Sequence, residues 1–83
     1  MQSLNGIVAF CNTKIGSSKN KVRRHIYSNI RGYAKKSSNS LDVIEILRTA
    51  KTRLTCPECP QRDSEATQMK LAIIDELVTF IKG

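Results

Sequence analysis

Apolar residues recur every three or four positions through most of this chain, and that spacing commits it to helices. Residues that interrupt helices separate the apolar stretches. Lys14–Ser18 holds Gly16 and two serines, Ser37–Ser40 is a short Ser/Asn tract, and Cys56-Pro57-Glu58-Cys59-Pro60 cannot sit inside a continuing helix. The pattern predicts an all-α fold, a compact three- to four-helix bundle over residues 1–83. Eighty-three residues make one domain. A chain of this size buries only about 60–65% of its unfolded surface, so a metal, a partner or a second copy is a natural supplement to its core.

Four segments carry the periodicity. Leu4, Ile7, Val8 and Cys11 define a first helix over roughly Leu4–Cys11, although Gly6 weakens it and Gly6–Phe10 also reads as a short buried strand. Lys14–Ser18 then reads as a loop. The second helix spans roughly Ser18–Lys36, capped by Ser17 or Ser18, with Val22, Ile26, Ile30 and Tyr33 on its apolar stripe. The third spans roughly Leu41–Leu54 behind Asn39 or Ser40 as cap. Val43, Ile44, Ile46, Leu47, Ala50 and Leu54 form its inner face. The fourth spans roughly Ser64–Lys82, capped by Ser64 or Asp63. Its apolar residues cover about 200° of the circumference, twice what an ordinary surface helix needs. Such a helix is either central in the fold or buried against a second subunit. A homodimer or protein-partner interface would use Met69, Ile73, Leu77, Phe80 and Ile81.

The charge is sharply divided. Residues 1–41 hold eight Lys/Arg and no Asp/Glu, while 42–83 hold six and seven, so +8 and −1 make up the net +7. A basic half, 1–41, thus precedes a near-neutral half, 42–83. Soluble surfaces ordinarily mix both signs. Cations without a single carboxylate among them favour a polyanion. On the second helix Lys21, Arg24, Arg31 and Lys35 share the side opposite the apolar stripe, and Arg23 and Lys36 widen the basic segment. A row of cations can follow a line of phosphates, each contact releasing counterions, and arginine matches phosphate oxygens two at a time. Tyr27 borders this face and can either stack on a base or pack inward.

These residues point to nucleic acid, bound by its backbone and shape. With two Phe, two Tyr and no Trp there are few platforms for single-strand stacking. No glycine-bearing helix-turn-helix pattern announces major-groove reading. RNA, double-stranded above all, is therefore favoured over DNA. Two alternatives use the same residues. A protein-interaction module would dock partners on the apolar fourth helix and the basic patch. A peripheral membrane protein of matrix type would place the patch on anionic lipid, but no bulky hydrophobe stands among the cations to insert.

Cys56 and Cys59 have the Cys-x-x-Cys spacing that chelates zinc. A structural zinc needs four ligands, and Cys11 and His25 are the only further cysteine and histidine. They would complete a Cys₃His set. Against it, Cys11 lies on an apolar face, as a small core residue does. Enzyme signatures are lacking. The glycines are scattered, one histidine stands alone, and Asp75 and Glu76 lie on the wet side of the fourth helix. The reading is of a binding protein, not an enzyme. Met1–Phe10 has no basic residue before its short apolar run, unlike a secretory signal. The expected location is inside the cell, in cytoplasm or nucleus.

Overall fold

The computed structural model describes residues 1–58 and 64–83. The fold is all-α, a compact globule of four helices: α1 (Leu4–Ser17), α2 (Lys21–Lys36), α3 (Ser40–Leu54) and α4 (Glu65–Lys82). No strand occurs among the described residues, so Gly6–Phe10 is helical. No described helix is long and apolar enough to cross a membrane.

Each helix begins where a side chain can accept an otherwise unpaired backbone N–H. Ser3 accepts from Gly6 N, Asn39 from Asp42 N and Ser64 from Thr67 N. On α2 the cap is Asn20, not Ser17 or Ser18. Its Oδ1 accepts from Val22 N at 2.8 Å and from Arg23 N at 3.3 Å. Ser18 instead closes α1, its backbone N–H donating to Lys14 O. The loop expected over Lys14–Ser18 is thus largely the last turn of α1. Tertiary contacts override the poor helix propensity of Gly16 and Ser17. Ile15 packs against the core, and Lys14 lies 5.4 Å above the Phe10 ring while pairing with Glu76.

The core draws on all four helices. It comprises Ile7 and Cys11 from α1; Ile26, Tyr27, Ile30 and Ala34 from α2; Val43, Ile44 and Leu47 from α3; and Ile73, Ile74, Leu77 and Ile81 from α4. α1 packs chiefly on α2 and α3 on α4, and α2 bridges to α3 and α4. The chain start is tied down as well. Gln2 N donates to Ile81 O at 2.8 Å, and the Ser40 hydroxyl donates to Gln2 O.

Two sequence expectations change here. The buried stripe of α2 is Ile26, Tyr27, Ile30 and Ala34, and Val22 and Tyr33 are 43% and 46% exposed. The helix is turned so that Tyr27 faces inward, where its hydroxyl finds Glu76. On α4, Ile73, Leu77 and Ile81 are buried inside their own chain, at 1%, 0% and 0% exposure. Phe80 stacks on Phe10 of α1 with ring centroids 4.2 Å apart, and Met69 packs against the core. The wide apolar face belongs to a helix in the middle of the fold. Ile73, Leu77 and Ile81 are therefore packed into the core of their own chain.

Candidate nucleic-acid interface

The basic residues of α2 separate into two groups. Lys21, Arg24, Lys35 and Lys36 are exposed, and none of them joins an ion pair among the described residues. Lys21, Arg24 and Lys35 lie at positions i, i+3 and i+14, within about 60° of one another on a 3.6-residue helix. They mark out a ridge about 21 Å long at 1.5 Å per residue. Ser28 and Gly32 lie between them, and no carboxylate belongs to this helix. The residues of α1, which packs beside α2, are likewise free of Asp and Glu.

Arg31 and Arg23 are held differently. Arg31 is half-buried and donates from Nη1 to Asn12 Oδ1 of α1 at 2.6 Å. This fixes its guanidinium at the seam of the two helices, beside the ridge. Asn12 is a positioning residue that sequence reasoning missed. Nothing in the local pattern marks a contact spanning 19 residues. Arg23 is half-buried on the inner side of α2, where its charge acts on Tyr27. It does not belong to the outer face.

Tyr27 is corrected outright. It is wholly buried and donates its hydroxyl proton to Glu76 Oε1 at 2.5 Å. No base can reach it. Burial, the hydrogen bond to Glu76 and the charge of Glu76 push its pKa up to about 12, with Arg23 opposing. Glu76 also faces Lys14 at 3.8 Å, so one carboxylate joins α4 to α1 and α2. Of the other aromatic rings, Phe10 and Phe80 stack on each other, and the exposed Tyr33 lies off the ridge.

Among the described residues, Cys11, His25 and Cys56 do not come together. Cys11 is sealed in the core, and burial pushes its thiol up to about 11 against the opposing charge of Arg31. His25 is exposed on α2 and Cys56 is exposed after α3. Among the described residues no three His, Cys, Asp or Glu side chains come together around a metal position. Cys59 lies outside the described residues.

These two buried acids set the alkaline limit of the fold. Both pKa values are raised above the ordinary 9.0 and 10.0, so the folded chain holds protons that the unfolded chain gives up. The stability this confers is complete below pH 9 and is lost as pH rises through about 11 and then about 12. Thermal melts at rising pH should show a midpoint that begins to fall near pH 9. In Tyr27→Phe the fall above pH 10 should be smaller and should end near pH 11, where Cys11 alone has titrated. That variant should also lose about 1–2 kcal/mol at neutral pH, because Glu76 loses its donor.

Gly32 lies on the outer face of α2, and an added Cβ would meet nothing within 4 Å. Its helical backbone suits alanine. Gly32→Ala should therefore stabilise the protein by about 0.5–1 kcal/mol, a rise of several degrees in melting temperature.

No protein-family model matches this chain, and comparison with curated proteins and with solved structures finds no match.

Proposed function

We propose that this protein binds nucleic acid through its phosphate backbone, along the outer face of α2, and that duplex RNA is its preferred ligand. The observation that carries the reading is the ridge itself: Lys21, Arg24, Lys35 and Lys36 are exposed and engaged in no ion pair among the described residues. The other described cations that do form pairs, Lys14 and Lys51, are matched with Glu76 and Asp75 on α4. Cations left without intramolecular partners on a rigid helix are placed to displace counterions from a polyphosphate.

The ligand class follows from what surrounds the ridge. Its length suits a backbone that runs in a regular line, as in a duplex. With Tyr27 in the core and the phenylalanines stacked on each other, the rings left near the cations are the His25 imidazole and Tyr33, the latter beside Lys36 and off the Lys21–Lys35 line, so there are few platforms to receive an unstacked base. The ridge also offers no amide side chain of Gln, and its single Asn, Asn29, lies towards the flank. Lysine and arginine contacts to phosphate position a duplex without reading its sequence. The shallow minor groove of RNA presents phosphates and 2′-hydroxyls to such a surface.

Fluorescence anisotropy tests this reading with labelled duplexes and single strands about 20 nucleotides long, enough to span the ridge. Duplex RNA is expected to bind tightest, followed by duplex DNA, then single strands. Poly-glutamate binding as tightly as duplex RNA would instead make the ridge a docking surface for acidic protein.

A further inference from the structure

A second surface lies on the opposite side of α2. Between α2 and α3 runs an open groove of about 240 Å³ whose apolar walls include Ile26, Ile30, Ile46, Ala50 and Leu54. It adjoins a wider depression that shares Tyr33 and Arg53 with it. The apolar stripe of α2 overhangs this side. Val22 lies one turn before Ile26, and both Val22 and Tyr33 are large apolar side chains that the core leaves exposed. Among the described residues the only charged ones lining the smaller groove are Arg53 and Lys70. Both are exposed, and neither is in an ion pair among the described residues.

We propose that this groove docks an amphipathic helix of a partner protein, one that carries acidic residues beside its apolar face. A channel between two helices accepts the side-chain ridge of a third, with anchors at i, i+3, i+4 and i+7. The two rim cations select the sign of the residues flanking those anchors. A second copy of this chain fits poorly. On α4, Asp75 is taken by Lys51 and Glu76 by Tyr27 and Lys14, which leaves only Glu65 in the first turn outside an ion pair among the described residues, while Asp42 and Glu45 of α3 line the wider depression themselves. The floor also offers phosphate nothing. The groove and the line of Lys21, Arg24 and Lys35 lie about 160° apart around α2, judged from Ile26 and Arg24 at 100° per residue, so the groove can be filled while those three cations hold a ligand; Lys36, which lines the adjoining depression, is the one cation the two surfaces share. The docking proposal is therefore independent of the nucleic-acid reading.

The test is an NMR titration of the isotope-labelled full chain with two designed amphipathic peptides about sixteen residues long, long enough to form a helix on binding. One carries leucine anchors flanked by glutamate, and the other replaces every glutamate by lysine. The glutamate peptide should shift the amides of Tyr33, Ile46, Ala50 and Leu54. The double variant Arg53→Glu, Lys70→Glu should weaken that peptide by about tenfold and make the lysine peptide the better ligand, as expected for reversed rim charges. Its affinity for duplex RNA should stay within about twofold of the parent, since the ridge is untouched. Absence of groove shifts, or equal binding of the two peptides, would overturn the proposal. So would duplex RNA shifting the groove amides in place of the peptide, because the groove would then belong to the nucleic-acid surface. Circular dichroism of the double variant should match the parent, both positions being exposed.

Discussion

Replacing Lys21, Arg24 and Lys35 together by glutamate is expected to lower affinity for duplex RNA by about 100-fold or more, as three phosphate contacts become three repulsions. The fold should survive. All three side chains are exposed and none is in an ion pair among the described residues. The helix-dipole effects also offset one another. Glutamate is favoured at Lys21 in the first turn of α2 and disfavoured at Lys35 in the last. Arg31 is left out of the set because its bond to Asn12 joins α2 to α1, and its loss would mix structural and binding effects. Helix content and melting temperature should match the parent while anisotropy reports the loss. Affinity that survives the triple reversal would remove α2 as the binding surface.

Leu77→Ala is expected to have the largest effect on stability, about 2–5 kcal/mol. A domain of this size has about 4–12 kcal/mol in total, so the variant should lose a large share of its stability and melt roughly 10 °C or more below the parent. The reason is positional. Leu77 has no exposed surface, and it lies on the helix that contacts α3, α2 and, through Phe80, α1. The measurement also separates a core helix from an interface helix. Loss of an interface residue would leave a folded chain with altered sedimentation. Loss of a core residue lowers the melting temperature at every protein concentration. Thr79→Ala, an exposed change two residues away, is the control and should shift the melt little.

The parts of this fold legible in the sequence are those fixed by neighbours a few residues apart. Asn39 and Ser64 cap α3 and α4 within one turn, and the apolar spacing of Val43, Ile44 and Leu47 places the inner side of α3 correctly. Long-range contacts account for what was missed. Gly16 and Ser17 look like loop residues until Lys14 meets Glu76 and Ile15 meets the core. Tyr27 reads as a border residue because its hydroxyl needs a partner, and that partner is 49 residues away. Its inward turn carries Arg23 away from the outer face and leaves Val22 exposed and Tyr33 lining the groove.

The candidate interface shows the same division. Helical spacing was enough to group Lys21, Arg24 and Lys35, because residues at those intervals share a face whatever the rest of the fold does. It could not reveal that Arg31 would be fixed by Asn12. Nor could residue counting settle the metal ligands. Cys11, His25, Cys56 and Cys59 make a plausible inventory, but Cys11 is sealed in the core while His25 and Cys56 are exposed. For α4, apolar width alone cannot distinguish a helix at the centre of one chain from a helix shared by two. Burial of Ile73, Leu77 and Ile81 decides it for those residues.

The most direct test of the central claim is the salt dependence of duplex RNA binding. Anisotropy titrations at a series of salt concentrations give the slope of log affinity against log salt, which counts the phosphates neutralised. Lys21, Arg24, Lys35 and Lys36 acting together, with Arg31 beside them, predict a slope of about −4. The triple glutamate variant should flatten it to about −1 or abolish binding. A parent slope near zero, or no binding to duplex RNA near physiological salt, would contradict a phosphate-binding role for α2.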